Sequence, residues 1–206
     1  MFIKNDKPTK IIGFQDSSIA QQYFEVFNKE GLENVSIITP EDFFSLSDKN
    51  SNQYIVAFYI DMDLRKNVCD LLDELGLDCL TYIDDTVYMF SSSKIGKGCF
   101  IGHLCEICWN ASVGDHCYFD NQSGIGHDVI LGRNSIISSK CYVGGRTKIG
   151  ENCKFYLNGS VLNNITICNN VTLCALSSIT KDVTIPGTYA GRKARLIDGS
   201  TTDQNH

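Results

Sequence analysis

Of the four histidines in the chain, His127 is followed directly by a carboxylate, Asp128. An imidazole can take and return protons near neutrality, because its unperturbed pKa is about 6.5. A neighbouring carboxylate can fix its tautomer, as the acid of a hydrolase triad does. Eighteen residues on stands Gly145, whose amide could receive a developing oxyanion and whose bareness lets a ligand approach. A base beside an oxyanion donor is suited to acyl transfer. Plainer readings stand beside this one. A histidine at a polar corner is often only solvated, Asp128 could pair with Arg146, and Gly145 could serve corner geometry alone. Trp109, eighteen residues before His127, could wall a pocket or sit at an edge between subunits. His103 and His116 are expected to be solvated corners.

The step of eighteen comes from an internal repeat. From Ile95, every sixth residue is apolar: Ile101, Ile107, Val113, Phe119, Ile125, Leu131, Ile137, Val143, Ile149, Phe155, Val161, Ile167, Leu173, Ile179 and Ile185. With a background of about 45% apolar residues, sixteen successes in sixteen would arise by chance on the order of once in several hundred thousand trials, so the period is real. It fits neither a helix nor a hairpin array. Two positions before each apolar residue stands a small or β-branched one, such as Ser93, Cys99, Cys105, Ala111 and Cys117. Three positions after come Gly98, Asn110, Asn134, Asn152, Asn158, Asn164 and Asn170, types that tolerate a positive φ. Each hexad is therefore a short strand and a turn, and three hexads make one triangular coil. Residues 95–184 give five coils, with 83–94 as a linker and a polar tail over 198–206. Eight of the ten cysteines become small fillers of the prism, and the N-x-S/T sequons at Asn110, Asn158, Asn164 and Asn170 become by-products of the corners.

Residues 1–82 follow another pattern. KIIGF, NVSIIT, NQYIVAFYI and CLTYI predict strands, SSIAQQYFEVFNKEG and DLRKNVCDLLDELG predict helices, and Pro40 opens a short turn or helix. Alternation of this kind indicates a small parallel α/β unit with a ligand edge at the carboxyl ends of its strands, around Gly13–Ser18 and Ile60–Arg65. Asp16 is a possible cap for the helix that follows it, and the amides at Ser17 and Ser18 could hold a pyrophosphate. A net charge of −6 and the lack of a long basic run speak against nucleic acid. No apolar run is long enough to span a bilayer, and the first ten residues lack a signal-peptide core, so a cytoplasmic location away from membranes is expected. Ten cysteines without a C-x-x-C pair suggest free thiols in a reducing compartment.

The order of the two units resembles the bacterial nucleotide-amino-sugar N-acetyltransferases and the related sialic acid O-acetyltransferases. The resemblance covers nearly the whole chain. It is carried by GIGHDVILG (124–132), similar to that family's catalytic segment, by YVGGRTKIGENC, by the exit ITKDVTIPGTYAGRKARLI, and by FYIDMDLRKNV in the first unit. It implies a Rossmann-like α/β subdomain (1–82) followed by an all-β left-handed parallel β-helix (95–197). The handedness comes from the family, since right-handed crossovers are the general rule.

The family further implies acyl transfer from acetyl-CoA or another acyl-CoA to the amino group of a nucleotide-linked amino-deoxy sugar, without metal. His127 would be the general base and Asp128 its orienter. Gly145 and Gly144 would form the oxyanion and coenzyme A contact, and Lys193 and Arg195 would meet the coenzyme A phosphates. Gly13, Gln15, Asp16, Ser17, Asp61 and Arg65 would face the nucleotide sugar. The working form would be a homotrimer with sites between subunits. Several positions depart from the pattern. The first loop, GFQDSSIAQ, lacks the usual extra glycines and histidine, Thr39-Pro40-Glu41-Asp42 replaces paired aspartates, Lys193 replaces a proline, and Ile136 replaces a second histidine. The alternative within the fold is O-acetylation of a free sugar acid such as sialic acid. A zinc enzyme would need His103, His116 and His127 to converge, and a bare trimerising scaffold would need no histidine at all.

Overall fold

The computed structural model describes residues 7–191, so Lys193 and Arg195 lie outside the described residues. The N-terminal unit runs β1 (Thr9–Ile12), α1 (Ser18–Lys29), β2 (Val35–Ile38), α2 (Pro40–Ser45), β3 (Gln53–Val56), α3 (Met62–Glu74) and β4 (Asp78–Cys79). Its sheet is parallel throughout, in the order β2-β1-β3-β4. Strand alternation divides the core in two. Ile11, Ile55 and Ala57 pack with Ala20, Tyr23 and Phe27 of α1, while Ile12, Tyr54 and Val56 pack with Val68, Cys69 and Leu72 of α3. Thr39 opens α2 with a capping box closed by Asp42, which fixes the turn at Pro40.

From Tyr82 onward the chain winds as a three-sided parallel β-solenoid. The first face stacks Tyr82–Ile83, Phe100–Ile101, Tyr118–Phe119, Ile136–Ile137, Lys154–Phe155, Val171–Leu173 and Gly187–Tyr189. The second stacks Tyr88–Met89, Glu106–Ile107, Gly124–Ile125, Tyr142–Val143, Ser160–Val161 and Ser178–Ile179. The third runs from Lys94–Ile95 to Thr166–Ile167. Neighbouring rungs pair in a register of eighteen, as in Gly124↔Tyr142. At every corner from Gly98 to Leu176 one residue takes a φ between 54° and 68°, and from Leu104 onward its N–H donates one coil back, as from His116 to the Lys97 carbonyl (2.8 Å). Leu104, Lys140 and Arg146 adopt this conformation too, so the corner imposes it where the side chain does not favour it.

Four expectations need correction. The predicted linker 83–94 is the start of the solenoid, since Tyr82–Ile83 pairs with Phe100–Ile101 and Tyr88–Met89 with Glu106–Ile107. CLTYI is accordingly split, its first residue ending β4 and its last two forming the first solenoid rung. The sixteenth apolar position, Ile185, is exposed, because the last coil is two residues short and Val183 bridges Ile167 instead. Of the eight solenoid cysteines, Cys99, Cys105, Cys117, Cys141 and Cys153 fill the interior, but Cys108, Cys168 and Cys174 are only half-buried.

The two units are docked in two ways. On the first face, Tyr82, Phe100, Tyr118 and Ile136 point outward and pack against α1 and the sheet, with the Tyr23 ring stacked on Phe100 at 4.0 Å. At the corner between the third and first faces, Arg133 forks onto Asp70 and Asp73 of α3 (both 2.6 Å), and Lys97 also reaches Asp73 (2.7 Å). His116, expected to be solvated, is fully buried there. Its Nε2 meets Asp73 at 3.1 Å, its carbonyl accepts from Arg65, and its Nδ1 has no partner. The α/β unit covers a corner that the repeat alone would leave wet.

Burial pushes the His116 pKa below its ordinary value, against the upward pull of Asp73. Burial would raise the Asp73 carboxyl, but hydrogen bonds from Lys97 and His116 bring it down to about 2. Above about pH 6.5 His116 is neutral both folded and unfolded; below it, the unfolded chain takes the proton first, so stability falls with pH by up to about 1.4 kcal/mol per unit. Melting temperature should therefore drop between pH 7 and pH 5, and His116→Asn, a type that tolerates the corner φ, should flatten that slope. A wild-type melting temperature constant over this range would contradict the assignment.

Candidate active site

His127 occupies the corner between the second and third faces, held by Gly124–Ile125 on one side and Ile130–Leu131 on the other. Its side chain is 47% exposed. Asp128 takes the left-handed corner conformation (φ 58°), which brings its carboxylate back to the ring: Oδ2 lies 2.9 Å from His127 Nδ1. The other carboxylate oxygen accepts from Asn110 Nδ2, one coil below, at 2.7 Å. Hydrogen bonds from Asn110 and then from His127, with the charge of Arg146, hold the Asp128 carboxyl below the usual carboxylate range. An ionised carboxylate only accepts, so the imidazole carries its proton on Nδ1 and presents the Nε2 lone pair. The alternative of a direct Asp128–Arg146 pair does not form; Asn110 and His127 occupy the carboxylate.

Above the ring lies Gly145. A Cβ built on it would stand 2.6 Å from His127 Nε2 and 2.8 Å from Cδ2, so only glycine leaves the ring where it is. Among the described residues the Gly145 N–H has no hydrogen-bond acceptor. Gly126, which precedes the histidine, would place a Cβ 2.7 Å from that same nitrogen. The corner thus combines an oriented base, a free backbone donor beside it, and no side chain above. Below lies Trp109, 53% exposed, whose carbonyl accepts from the Asp128 N–H. Gly144 lies tight against the next coil, where a Cβ would meet Asn163 Oδ1 at 2.2 Å.

The residues expected in the α/β unit do not all gather. A cavity of about 450 Å3 opens at the carboxyl edge between β1 and β3, lined by Phe14, Asp16, Ser17, Ser18, Ile19, Phe58, Tyr59 and Ile60. Asp16 and Ser17 are among its lining residues. Asp16 is not the cap of α1; Ser17 is the N-cap residue, and its hydroxyl makes no cap bond. Gly13 stands behind the cavity as a packing residue, where a Cβ would come within 3.0 Å of Ala20 Cβ and the Ala57 carbonyl. Gln15 lies on the neighbouring depression with Phe24 and Ile37. Asp61 caps α3 through Leu64 N at 2.9 Å. Arg65 is a correction: it is 1% exposed, and its two Nη atoms donate to the carbonyls of Val56, Phe58 and His116 while its buried Nε has no partner, so it ties the units together and does not face a ligand. One contributor escaped the sequence reading as a chemical residue, Asn110, which holds the Asp128 carboxylate. Asn110 was discoverable, since it stands eighteen residues before Asp128.

Among the described residues no three His, Cys, Asp or Glu side chains converge into a metal-ligating group, and His103, His116 and His127 occupy three different corners. No helix among them is long and apolar enough to cross a membrane.

Residues 110–145 match the family model described as bacterial transferase hexapeptide (six repeats). UDP-3-O-acylglucosamine N-acyltransferase 2 of Sulfurimonas denitrificans is 34% identical over 67 residues, which are 32% of this chain; the match spans about a fifth (20%) of that curated relative's length. The acetyltransferase domain of PglB from Neisseria gonorrhoeae FA1090 superposes with a TM-score of 0.81 at 17% identity, over 90% of this chain and 97% of that one. The same domain in complex with acetyl coenzyme A gives 0.77 at 18% identity, over 91% and 97%. PerB from Caulobacter crescentus, in complex with CoA and GDP-perosamine, gives 0.64 at 18% identity, over 88% and 94%. The chain thus carries hexapeptide-repeat sequence and shares with these proteins the succession of an α/β unit and a β-solenoid.

The hydrogen bond from Asn110 makes a direct prediction. In Asn110→Ala the Asp128 carboxyl should move up toward its ordinary value in an NMR titration, while the solenoid stays folded. A titration unchanged from wild type would show that Asn110 does not polarise the pair.

Proposed function

We propose that this protein is an acyl-CoA-dependent sugar N-acyltransferase. It moves an acetyl group from acetyl-CoA to the amino group of a nucleotide-linked amino-deoxy sugar. The observation that carries this is the packing of His127 Nε2 against Gly145 while Asp128 holds Nδ1. In the reaction, Nε2 takes a proton as the acceptor amine attacks the thioester carbonyl. A C–N bond forms, and the carbonyl oxygen becomes an oxyanion that the Gly145 N–H can receive. Collapse breaks the C–S bond, and the imidazolium returns its proton to the departing thiolate. The printed descriptions of the structural neighbours, with acetyl coenzyme A in one and CoA with GDP-perosamine in another, support the reading of donor and acceptor.

The α/β cavity suits the nucleotide-sugar end, with Asp16, Ser17 and the start of α1 at its mouth and Gly13 and Gln15 framing the loop. That unit covers the first face, whereas His127 stands on the corner opposite. One copy alone therefore does not bring its own cavity to its own base, and sites shared between copies of a left-handed prism follow. The exposed large apolar side chains of the solenoid favour this arrangement. Tyr88, Met89 and Tyr142 lie on the second face, and Phe90, Trp109 and Leu162 on the His127 corner. On this reading the working form is a homotrimer, with coenzyme A in the groove between subunits near Gly144. Acetyl-CoA and ten cysteines that form no disulfide fit a reducing, cytoplasmic setting.

UDP-, dTDP- and GDP-linked 4-amino-6-deoxy sugars, with free sialic acid as the rival acceptor, should be screened with acetyl-CoA for thiol release. An amino-sugar nucleotide should turn over; release with sialic acid alone would transfer the assignment to O-acetylation. His127→Ala should lower turnover by about two orders of magnitude or more with the assembly intact. Gly145→Ala should come close to it, because its Cβ displaces the ring. Wild-type rates in both variants would leave only a scaffold.

A further inference from the structure

Asp128 stands between two partners. On its own corner it meets the imidazole of His127, with Oδ2 2.9 Å from Nδ1. One coil above it, eighteen residues on, is Arg146, whose positive charge acts on the same carboxyl. Among the described residues Arg146 forms no ion pair. A guanidinium and a carboxylate match each other well in geometry and charge, yet here the acid turns to the ring. The choice has a chemical consequence. With Asp128 on Nδ1 the imidazole has a fixed tautomer and presents Nε2; with Asp128 on Arg146 it has neither.

Asn110 lies one coil below, on the side away from Arg146. Its Nδ2 donates to Asp128 Oδ1 at 2.7 Å, which draws the carboxylate downward and leaves Oδ2 for the ring. An ionised carboxylate only accepts, so the amide must present its NH2 group. The corner that carries it is locked, since Asn110 holds a φ of 58° and its N–H donates to Ser92 Oγ at 3.0 Å. The reach belongs to the stack: at another corner Asn134 Nδ2 donates to Asn152 Oδ1 at 2.9 Å, again one coil up. The residue type does not follow from the corner alone, because Leu104, Gln122 and Lys140 hold the same conformation. What singles out Asn110 is its acceptor, a carboxylate already bonded to an imidazole. We propose that Asn110 is a positioning residue of the acyl-transfer site: by holding Asp128 from below, it commits the carboxylate to His127 and withholds it from Arg146. The inference rests on the reading of His127 as the base and deepens it. Without the amide, Asp128 turns up to Arg146 and the Nδ1 proton loses its acceptor. The Asp128 pKa still rises, because the hydrogen bonds of Asn110 and His127 are both lost and a solvent-screened guanidinium returns less than they gave.

The test is a double-mutant cycle on the full chain, read by turnover and by 15N NMR of the imidazole. Asn110→Gly keeps the positive φ and removes the amide. It should lower kcat by about tenfold, with KM for acetyl-CoA nearly constant. At about pH 8, where the ring is read in its neutral form, wild-type His127 should carry its proton on Nδ1, and Asn110→Gly should move the population toward the Nε2 tautomer. In an Arg146→Gln background the competing cation is gone. There the same Asn110→Gly change should cost about threefold or less and leave the Nδ1 tautomer dominant. Should Asn110→Gly fold poorly, Asn110→Ala carries the same cycle, because its corner strain is common to both backgrounds. An equal loss with and without Arg146 would reduce Asn110 to a structural corner residue and overturn the proposal, as would wild-type kcat and tautomer in Asn110→Gly. The NMR measurement needs no substrate. If no acceptor turns over in wild type, the acyl-transfer reading falls by itself, while the tautomer comparison still decides whether Asn110 commits Asp128 to the ring.

Discussion

Everything in this molecule is positioned by one backbone constraint, the left-handed residue at each corner of the solenoid. Thirteen non-glycine residues, from Leu104 to Leu176, hold a φ near 57° there. Each such conformation costs on the order of 1–2 kcal/mol for an ordinary L-residue, somewhat less for asparagine. What offsets it is the hydrogen bond made possible by the turn, in which each corner N–H from His116 to Leu176 donates to a carbonyl nineteen residues earlier and those of Leu104 and Asn110 donate to the Thr86 and Ser92 hydroxyls, together with the apolar column that the turn drives inward. Because the compensation comes from the neighbouring coil, no corner can shift alone. A side chain on a corner inherits that rigidity. Asp128 reaches back to His127 because its own φ is 58°, and the bond from Arg146 N to the His127 carbonyl (2.8 Å) fixes the coil above.

The junction between the units divides its labour between packing and charge. The ladder of Tyr82, Phe100, Tyr118 and Ile136 buries apolar area against α1 and fixes distance, but flat rings tolerate sliding. The fork of Arg133 on Asp70 and Asp73, with Arg65 threaded through to the His116 carbonyl, tolerates little sliding, because several directional bonds would break together. The first contributes adhesion and the second contributes register. The register decides where the cavity at the end of β3 stands along the prism.

Legibility of these features in the sequence follows from whether they are local or depend on a neighbour. The hexad column could be read because each apolar position answers to the same local geometry. The rungs at Tyr82–Ile83 and Tyr88–Met89 keep that phase, yet Asp84-Asp85-Thr86 between them looks like a linker. They pair only because the coil above accepts them. The exit could not be read, because Ile185 and Val183 are equally apolar and nothing local signals a coil two residues short. His116 and Arg65 were misjudged for one shared reason. Burial by a second unit leaves no trace in the residue's own neighbourhood, so a corner histidine looked wet and a motif arginine looked free. His127 and Asp128 were legible because their relation is sequential, and Gly145 because the period converts eighteen residues into one coil.

That conversion also separates two kinds of glycine at the site. Gly96, Gly102, Gly114, Gly126, Gly132, Gly144 and Gly150 all follow an apolar rung by one residue, and a Cβ at each would strike the backbone or a side chain of the coil above at 2.2–2.9 Å. They answer to the closeness of stacked coils wherever the repeat places them, so Gly126 and Gly144 need no chemical role to be explained. Gly145 is different. It stands second after the rung, a place filled elsewhere by Lys97, His103, Trp109, Asp115, Asn121, His127, Arg133 and Glu151, none of which the coil geometry excludes. The atoms its missing Cβ would strike belong to the His127 ring and not to the backbone. A glycine that the architecture does not require, and whose absent side chain is the condition for an imidazole to keep its place beside a free amide, is explained by that pairing. The chemistry assigned to this corner is therefore tied to a local exception to the repeat and not to the repeat itself.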